Sequence, residues 1–367
     1  MGWRTRIIAW RAVGLCLLAA LAACAPAAVM APPGPGAAPA AASAPSAPAA
    51  SSASAPSGPA ALAPPERFRV SWSSRGGGYL PLNAALERGL FTQRGLEVET
   101  HFMSGAQAVP ALIARDLDAT YADGTALVRA NLAGGDTVML APTTNVFPIK
   151  LLSAPSIQRV EDLRGKRLGV SRTGGTTDVA ARYLLRHYGL APGDDVALIQ
   201  VGTGPEMFPA LLAGAIDAGF FGQPEATQVK KQGYVPLYDL YQLPVEYPAT
   251  AVGTTRAIVT DRVPALRAFI AGIVEAIAWT KQNRAEALKV LAGYSGIDDQ
   301  EALEGTYDEY VPHYPQAPYP TETGVATILE SIRADEPRAA DARPADFIDG
   351  RFVHELDESG FIRSLYP

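Results

Sequence analysis

Apolar and polar side chains alternate with a period of two over Phe68-Arg69-Val70-Ser71-Trp72, which predicts the first strand of a folded body. Apolar residues then recur at helical spacing from Leu80 to Phe91, alternate from Leu96 to His101, return to helical spacing from Ala106 to Arg115, and predict a strand again at Ala119 to Tyr121. A second series starts at Asp162 to Val170, a turn entering a strand. It runs through a helix at Asp178 to His187, a strand at Val196 to Val201, a helix at Glu206 to Ala213, a strand at Ala218 to Phe221, and a helix after Gln223-Pro224-Glu225. Ala249 to Thr260 reads as extended. After it the pattern is helical over Ala265 to Gln282, Arg284 to Tyr294, Gln300 to Tyr310 and Thr323 to Ile332. Strands alternating with amphipathic helices predict an α/β fold of parallel strands with covering helices. A body of about 300 residues usually divides into two lobes. Residues 66–148 are expected to begin lobe one, 149–249 to form lobe two, and 250–367 to return to lobe one with the carboxyl-terminal helices. Crossings near Thr143 to Leu152 and Tyr247 to Gly253 would form a two-strand hinge.

Ahead of this body, Ala25 to Pro65 is built almost entirely of Ala, Pro, Ser and Gly, with neither charge nor aromatic ring. Such a segment cannot bury a core, and its prolines favour extended backbone, so 24–65 reads as a tether. Residues 1–23 carry Arg4, Arg6 and Arg11 followed by the apolar run Ala12 to Ala20, the order of charge and apolarity in a secretory signal. The run ends in Leu21-Ala22-Ala23-Cys24, which resembles a bacterial lipoprotein cleavage box. That resemblance implies cleavage before Cys24, lipid on its sulfur, and an extracytoplasmic protein held to a membrane through the lipid alone.

Cysteine use narrows the chemistry. The two cysteines are Cys16, in the leader, and Cys24, so the body has no thiol for a disulfide, a thiolate nucleophile or a Cys-zinc site. The formal charge of −6 becomes −9 once the three leader arginines are removed, which opposes binding to nucleic acid. No further apolar run is expected to approach the length of a transmembrane helix.

Four segments carry a family resemblance. They are Ala84 to Phe91 with Gly95-Leu96-Glu97-Val98; Gly105 to Leu112 with Leu117-Asp118-Ala119; Asp162 to Val170; and Leu212 to Ala218. In order and spacing they resemble solute-binding proteins of ABC importers, of the nitrate, sulfonate, taurine and thiamine-precursor type, over residues 66–367. The resemblance implies a periplasmic-binding fold of the second type, in which two lobes on a two-strand hinge close on a ligand. It also implies a monomer that delivers a small molecule to an ABC permease and its ATPase, without a cofactor.

Candidate ligand residues lie in loops at the carboxyl ends of predicted strands, where open α/β sheets form their crevices. Thr173, Gly174, Gly175, Thr176 and Thr177 precede a helix, so amides, hydroxyls and the positive helix end could hold an anion. An ordinary glycine turn with Thr177 capping the helix explains the same residues, and Asp178 opposes a strongly anionic ligand. Ser74, Arg75, Gly76 and Tyr79 offer a hydroxyl, a guanidinium and an aromatic face, although Arg75 reads equally as a solvated arginine. Ser104 and Gly105 occupy the next such loop. Asp123, with Gly124 and Thr125, suits a ligand amine or, alternatively, a helix cap. Thr143, Asn145 and Tyr247 stand near the crossings, and Gln223 and Glu225 at the mouth of lobe two, each with a hinge or helix-start role as the other reading. Tyr310, Tyr314 and Tyr319 lie among prolines and read as a packed loop. The four histidines are scattered without metal-ligand spacing, and no metal site is expected.

The expected role is capture of a small polar or anionic molecule, such as a sulfonate, carboxylate, nitrate-like or pyrimidine-like compound. Two other readings remain open: an enzyme on the same fold, such as a thiamine-pyrimidine precursor synthase, or a ligand-sensing subunit of a signalling system. The synthases resemble this chain but carry a cysteine cluster that the body lacks.

Overall fold

The computed structural model describes residues 58–366, and Cys24 with the leader lies outside them. Residues 58–65, read above as the end of the tether, lie against the body. The Leu62 N–H donates to the Arg94 carbonyl at 3.0 Å, and the Leu62 side chain packs on the first core.

The chain begins with β1 (Glu66–Trp72), α1 (Leu80–Glu87), β2 (Leu96–Phe102), α2 (Gly105–Ile113), β3 (Ala119–Ala122), α3 (Gly124–Leu132) and β4 (Thr137–Thr144). Next come β5 (Lys150–Ser153), β6 (Arg167–Val170), α4 (Thr176–His187), β7 (Ala197–Gln200), α5 (Gly204–Leu212), β8 (Ala218–Phe221), α6 (Glu225–Lys231) and β9 (Val235–Asp239). After these stand β10 (Thr250–Thr255), α7 (Arg256–Asp261), α8 (Val263–Gln282), α9 (Arg284–Ser295), α10 (Gln300–Tyr310), α11 (Glu322–Ile332), α12 (Arg351–Glu358) and α13 (Phe361–Ser364).

Two five-stranded sheets result, in the orders β2-β1-β3-β10-β4 and β7-β6-β8-β5-β9. Within each, the first three strands are parallel, and the fourth is antiparallel to both its neighbours. That fourth strand, β10 or β5, is where the chain arrives from the other sheet, so the two crossings and the two antiparallel strands are one feature. The class is α/β, with two mixed sheets and a periplasmic-binding topology.

The two halves repeat each other. Ser104-Gly105-x-Gln107-x-x-Pro110-Ala111-Leu112-Ile113-Ala114 in lobe one corresponds to Thr203-Gly204-x-Glu206-x-x-Pro209-Ala210-Leu211-Leu212-Ala213 in lobe two. Both segments start a helix with a capping box in which the hydroxyl residue and the Gln or Glu three positions on satisfy each other's backbone donors. Both helices end at a residue of positive φ, Arg115 at 63° and Gly214 at 66°. Each then leads to an aspartate that ties the second strand of its sheet, β1 or β6: Arg69 N–H donates to Asp118 at 2.7 Å, and Arg167 N–H to Asp217 at 2.8 Å.

The first core gathers around α8, where Phe269 stacks between Phe68 at 4.7 Å and Phe91 at 4.9 Å. Contrary to the sequence expectation, α8 is long and apolar enough to cross a membrane. It is instead the mostly buried centre of this core. Of the carboxyl-terminal helices, α12 and α13 join the first core, and α11 lies against α3 of lobe one, where Val325, Ile328, Leu329 and Ile332 share with Val128 an apolar cluster that continues into lobe two. Two predicted boundaries also shift. The helix expected through Phe91 stops at Glu87, because Gly89 adopts the left-handed φ of 65° that ends helices. The extended run expected to Thr260 stops at Thr255, whose hydroxyl accepts from Ile258 N–H at 3.3 Å and starts α7.

Candidate functional site

The loops after β1, β2 and β3 face those after β6, β7 and β8 across a cavity of about 1530 Å³. Lobe one supplies Ser74, Arg75 and Gly76, then Ser104 and Gly105, then Asp123. Lobe two supplies Gly175, Thr176 and Thr177, then Thr203 and Gly204, then Gln223 and Glu225. Ile149, Phe220 and Ala122 add apolar wall, and Tyr310 of α10 closes one side.

Asp123 ties the lobes together. Its side chain caps α3, with Oδ1 accepting from Thr125 N–H at 2.7 Å. Its Oδ2 accepts from the Thr176 hydroxyl of lobe two at 2.7 Å and from the Tyr247 hydroxyl at 3.3 Å. The cap expected of this residue is present, and its second carboxylate oxygen is turned to the cleft. Burial raises the Asp123 pKa, and the bonds from Thr176 and Thr125 offset part of that rise. Glu225 is raised by burial too; its side chain lies over Gly204.

The loop before α4 uses part of its expected anion cradle within its own lobe. Thr177 does not cap the helix: its hydroxyl accepts from Ser171 N–H at 2.7 Å and donates to Ser171 Oγ at 2.9 Å. Gly174 N–H donates to the Asp178 carboxylate at 2.9 Å and Gly175 N–H to the Arg172 carbonyl at 3.0 Å, so these two amides are occupied, whereas those of Thr176 and Thr177 in the uncapped first turn of α4 have no acceptor among the described residues. Gly174 has φ 67°, and a Cβ there would collide with the Arg129 guanidinium of lobe one, which is why this loop needs glycine. Thr173 points elsewhere, accepting from Gln200 at 2.9 Å.

Other expected contacts lie behind the cavity wall. The Tyr79 hydroxyl pairs with Ser73 at 2.8 Å and is pushed up to about 12 by burial. Thr143 accepts from the buried Tyr121 hydroxyl at 2.7 Å. Gly124 donates its N–H to the Pro248 carbonyl at 3.0 Å, and Thr125 pairs with the Tyr247 hydroxyl at 2.8 Å. Tyr247 itself is fully buried and stacks on Phe147 at 4.3 Å, so it supports Asp123 and Thr176 from behind. Asn145 is near α11 at the crossing, with its side-chain oxygen buried and unpaired.

Sequence reasoning missed Thr203, Gly204 and Tyr310. The first two were visible in the internal repeat, because Ser104 and Gly105, their equivalents, were chosen. Tyr310 was set aside among its prolines, yet its ring packs on Gly77 and Gly78 and its hydroxyl lies between Gly76 and Gly222, one from each lobe. Among the described residues no cluster of three His, Cys, Asp or Glu side chains could hold a metal ion.

Comparison with known proteins places this geometry. The nitrate/nitrite binding protein NrtA of Nostoc sp. (strain PCC 7120) is 28% identical over 145 residues, 38% of this chain and 32% of that protein. This chain thus spans about a third of that relative's length. The putative binding protein YtlA of Bacillus subtilis (strain 168) is 20% identical over 249 residues, 66% of this chain and 75% of that one. Among solved structures, the alkanesulfonate-binding protein SsuA of Xanthomonas axonopodis pv. citri, bound to MOPS, matches with a TM-score of 0.60 at 19% identity, covering 79% of this chain and 100% of that one. The periplasmic nitrate-binding protein NrtA of Synechocystis PCC 6803 matches with a TM-score of 0.64 at 16% identity, covering 83% and 91%. At such identities the structural likeness speaks for the fold. The sequence model of the NMT1-like family matches residues 64–292, and the chain belongs to that family.

Proposed function

We propose that this protein is the extracytoplasmic solute-binding subunit of an ABC importer, capturing a small polar organic molecule in the cleft and delivering it to a permease. The observation that carries this reading is the cleft itself: three polar loops from each lobe, all at carboxyl ends of parallel strands, converge on one cavity joined by an Asp123–Thr176 bridge. The names of its relatives and fold neighbours support the same role. An enzyme on this fold has less support, because the body lacks the cysteines of the precursor synthases. A sensing subunit would use the same cleft and differ only in the partner it meets.

A thermal-shift screen of the full chain against sulfonates, carboxylates, nitrate, pyrimidines and amines tests the capture role. Hits should vanish in Ala126→Trp, which places an indole in the cavity from its α3 wall. A hit that binds equally well to this variant would remove the cleft from the account. Lipid anchoring through Cys24 is proposed on the sequence alone. Cys24→Ser should release the protein from sedimented membranes with its ligand affinity intact, and persistent sedimentation after a high-salt wash would contradict it.

A further inference from the structure

The charged groups around the cavity are unevenly compensated. Arg129 is held by Asp335 at 2.7 Å. Arg75 is exposed, lies over the Phe102 ring at 5.7 Å and reaches the Tyr294 carbonyl at 3.5 Å; Arg172 is exposed as well. Asp299, on the rim, caps α10 and pairs with Lys231 at 2.9 Å. Deeper in, Asp123 receives only neutral donors, and Glu225 has no side-chain hydrogen bond or ion pair among the described residues. The Tyr310 hydroxyl, on a side chain 9% exposed, also meets the cavity without a hydrogen-bond partner among the described residues. Two amides of the loop that would suit an oxyanion are spent on Asp178 and Arg172, which leaves those of Thr176 and Thr177 at the start of α4.

We propose that the ligand presents a cationic, N–H-donating head to Asp123 and Glu225, with Tyr310 accepting a further hydrogen bond, and that oxyanions are disfavoured. The proposal rests on the cleft being the solute site and names the chemistry that site selects. A carboxylate withdrawn from water without a countercharge is costly, and a bound cation supplies the missing charge and donors together. A nitrate, sulfonate or carboxylate beside Asp123 and Glu225 would instead meet two negative groups, while Arg75 and Arg172, which also line the cavity without a carboxylate partner, are exposed to water that screens them.

Shape-matched ions of opposite charge separate the alternatives: guanidinium against nitrate, and benzamidinium against benzoate, each titrated into the full chain by calorimetry and thermal shift. The cation of each pair should bind at least about tenfold more tightly than its anion, a difference of about 1.4 kcal/mol. The preference should disappear in Asp123→Asn combined with Glu225→Gln, changes that keep the shape of both side chains and the acceptor for Thr125 N–H. Melting curves confirm that the double variant is folded. An anion that binds as tightly as its cation partner, and is lost in Ala126→Trp, overturns the charge assignment while leaving the cleft reading in place. A cation preference that survives the double variant overturns it too. Failure of both pairs to bind also overturns it and leaves the cleft reading to the broader screen.

Discussion

Thr176 and Thr177 are adjacent hydroxyls with separate partners. Thr176 reaches across to Asp123, whereas Thr177 closes a loop within its own lobe on Ser171. Thr176→Val removes a hydrogen bond to a charged acceptor, worth about 1.5 to 3 kcal/mol, and should raise the ligand's dissociation constant roughly tenfold to hundredfold. Thr177→Val should lower stability by about 1 kcal/mol and leave affinity unchanged. Titration calorimetry beside thermal unfolding checks both. The sequence showed that this loop belonged to the site but treated its two threonines alike, because side-chain direction at a helix start depends on the partner across the cleft. A second residue-scale prediction concerns Glu309, whose side chain is 1% exposed and which pairs with Lys150. Burial raises its pKa from 4.5 to about 7 against the pull of Lys150. An acid that holds its proton more tightly when folded favours the fold at low pH, and that contribution is lost as pH rises from 4.5 through about 7. Glu309→Gln should remove this part of the slope in denaturant unfolding measured from pH 4.5 to 8. Superimposable pH profiles for the two proteins would contradict it.

At the scale of elements, the internal repeat allows one experiment to be done twice in one molecule. Asp118 and Asp217 both accept from the strand arginine preceding them, but Asp118 also binds Arg262 at 2.7 Å and its side chain is 6% exposed, against 25% for Asp217. Asp118→Ala leaves a part-buried backbone donor without its acceptor and takes one partner from each of two guanidinium groups, and should cost about 3 kcal/mol. Asp217→Ala leaves its donors closer to water and should cost about 1 kcal/mol. Chemical denaturation of the two variants gives the ratio, and equal costs would contradict the burial argument. Most strands and helices of the βα series were legible, since period two and helical spacing alternate clearly from Phe68 to Phe221. Three elements were missed for separate reasons. All of β4 is buried, so Thr137 to Thr144 has no polar alternation to betray it, and Pro142 interrupts its reading. Helix α3 begins at a glycine, and its cap was weighed against a ligand role rather than counted as a start. Strand β9 is short and half-buried, with its own proline.

For the whole molecule, the two-lobed plan followed from chain length and from the second βα series, and the sheets repeat it strand for strand. Less legible was the apolar cluster that α11 joins, because nothing in the sequence of this helix says that the cluster runs on from α3 of lobe one into lobe two. The central claim is that the lobes close on a ligand held between them, which requires that ligand shift the lobes relative to each other. Ile113 and Leu212, about half exposed at equivalent positions of α2 and α5, report that motion. The body has no cysteine of its own, so Ile113→Cys and Leu212→Cys, with Cys16 and Cys24 changed to Ser, accept a pair of spin labels without competition. Pulsed dipolar spectroscopy with and without the tightest ligand of the screen should show a shorter and narrower inter-label distance when ligand is bound. Identical distance distributions at saturating ligand would contradict the account.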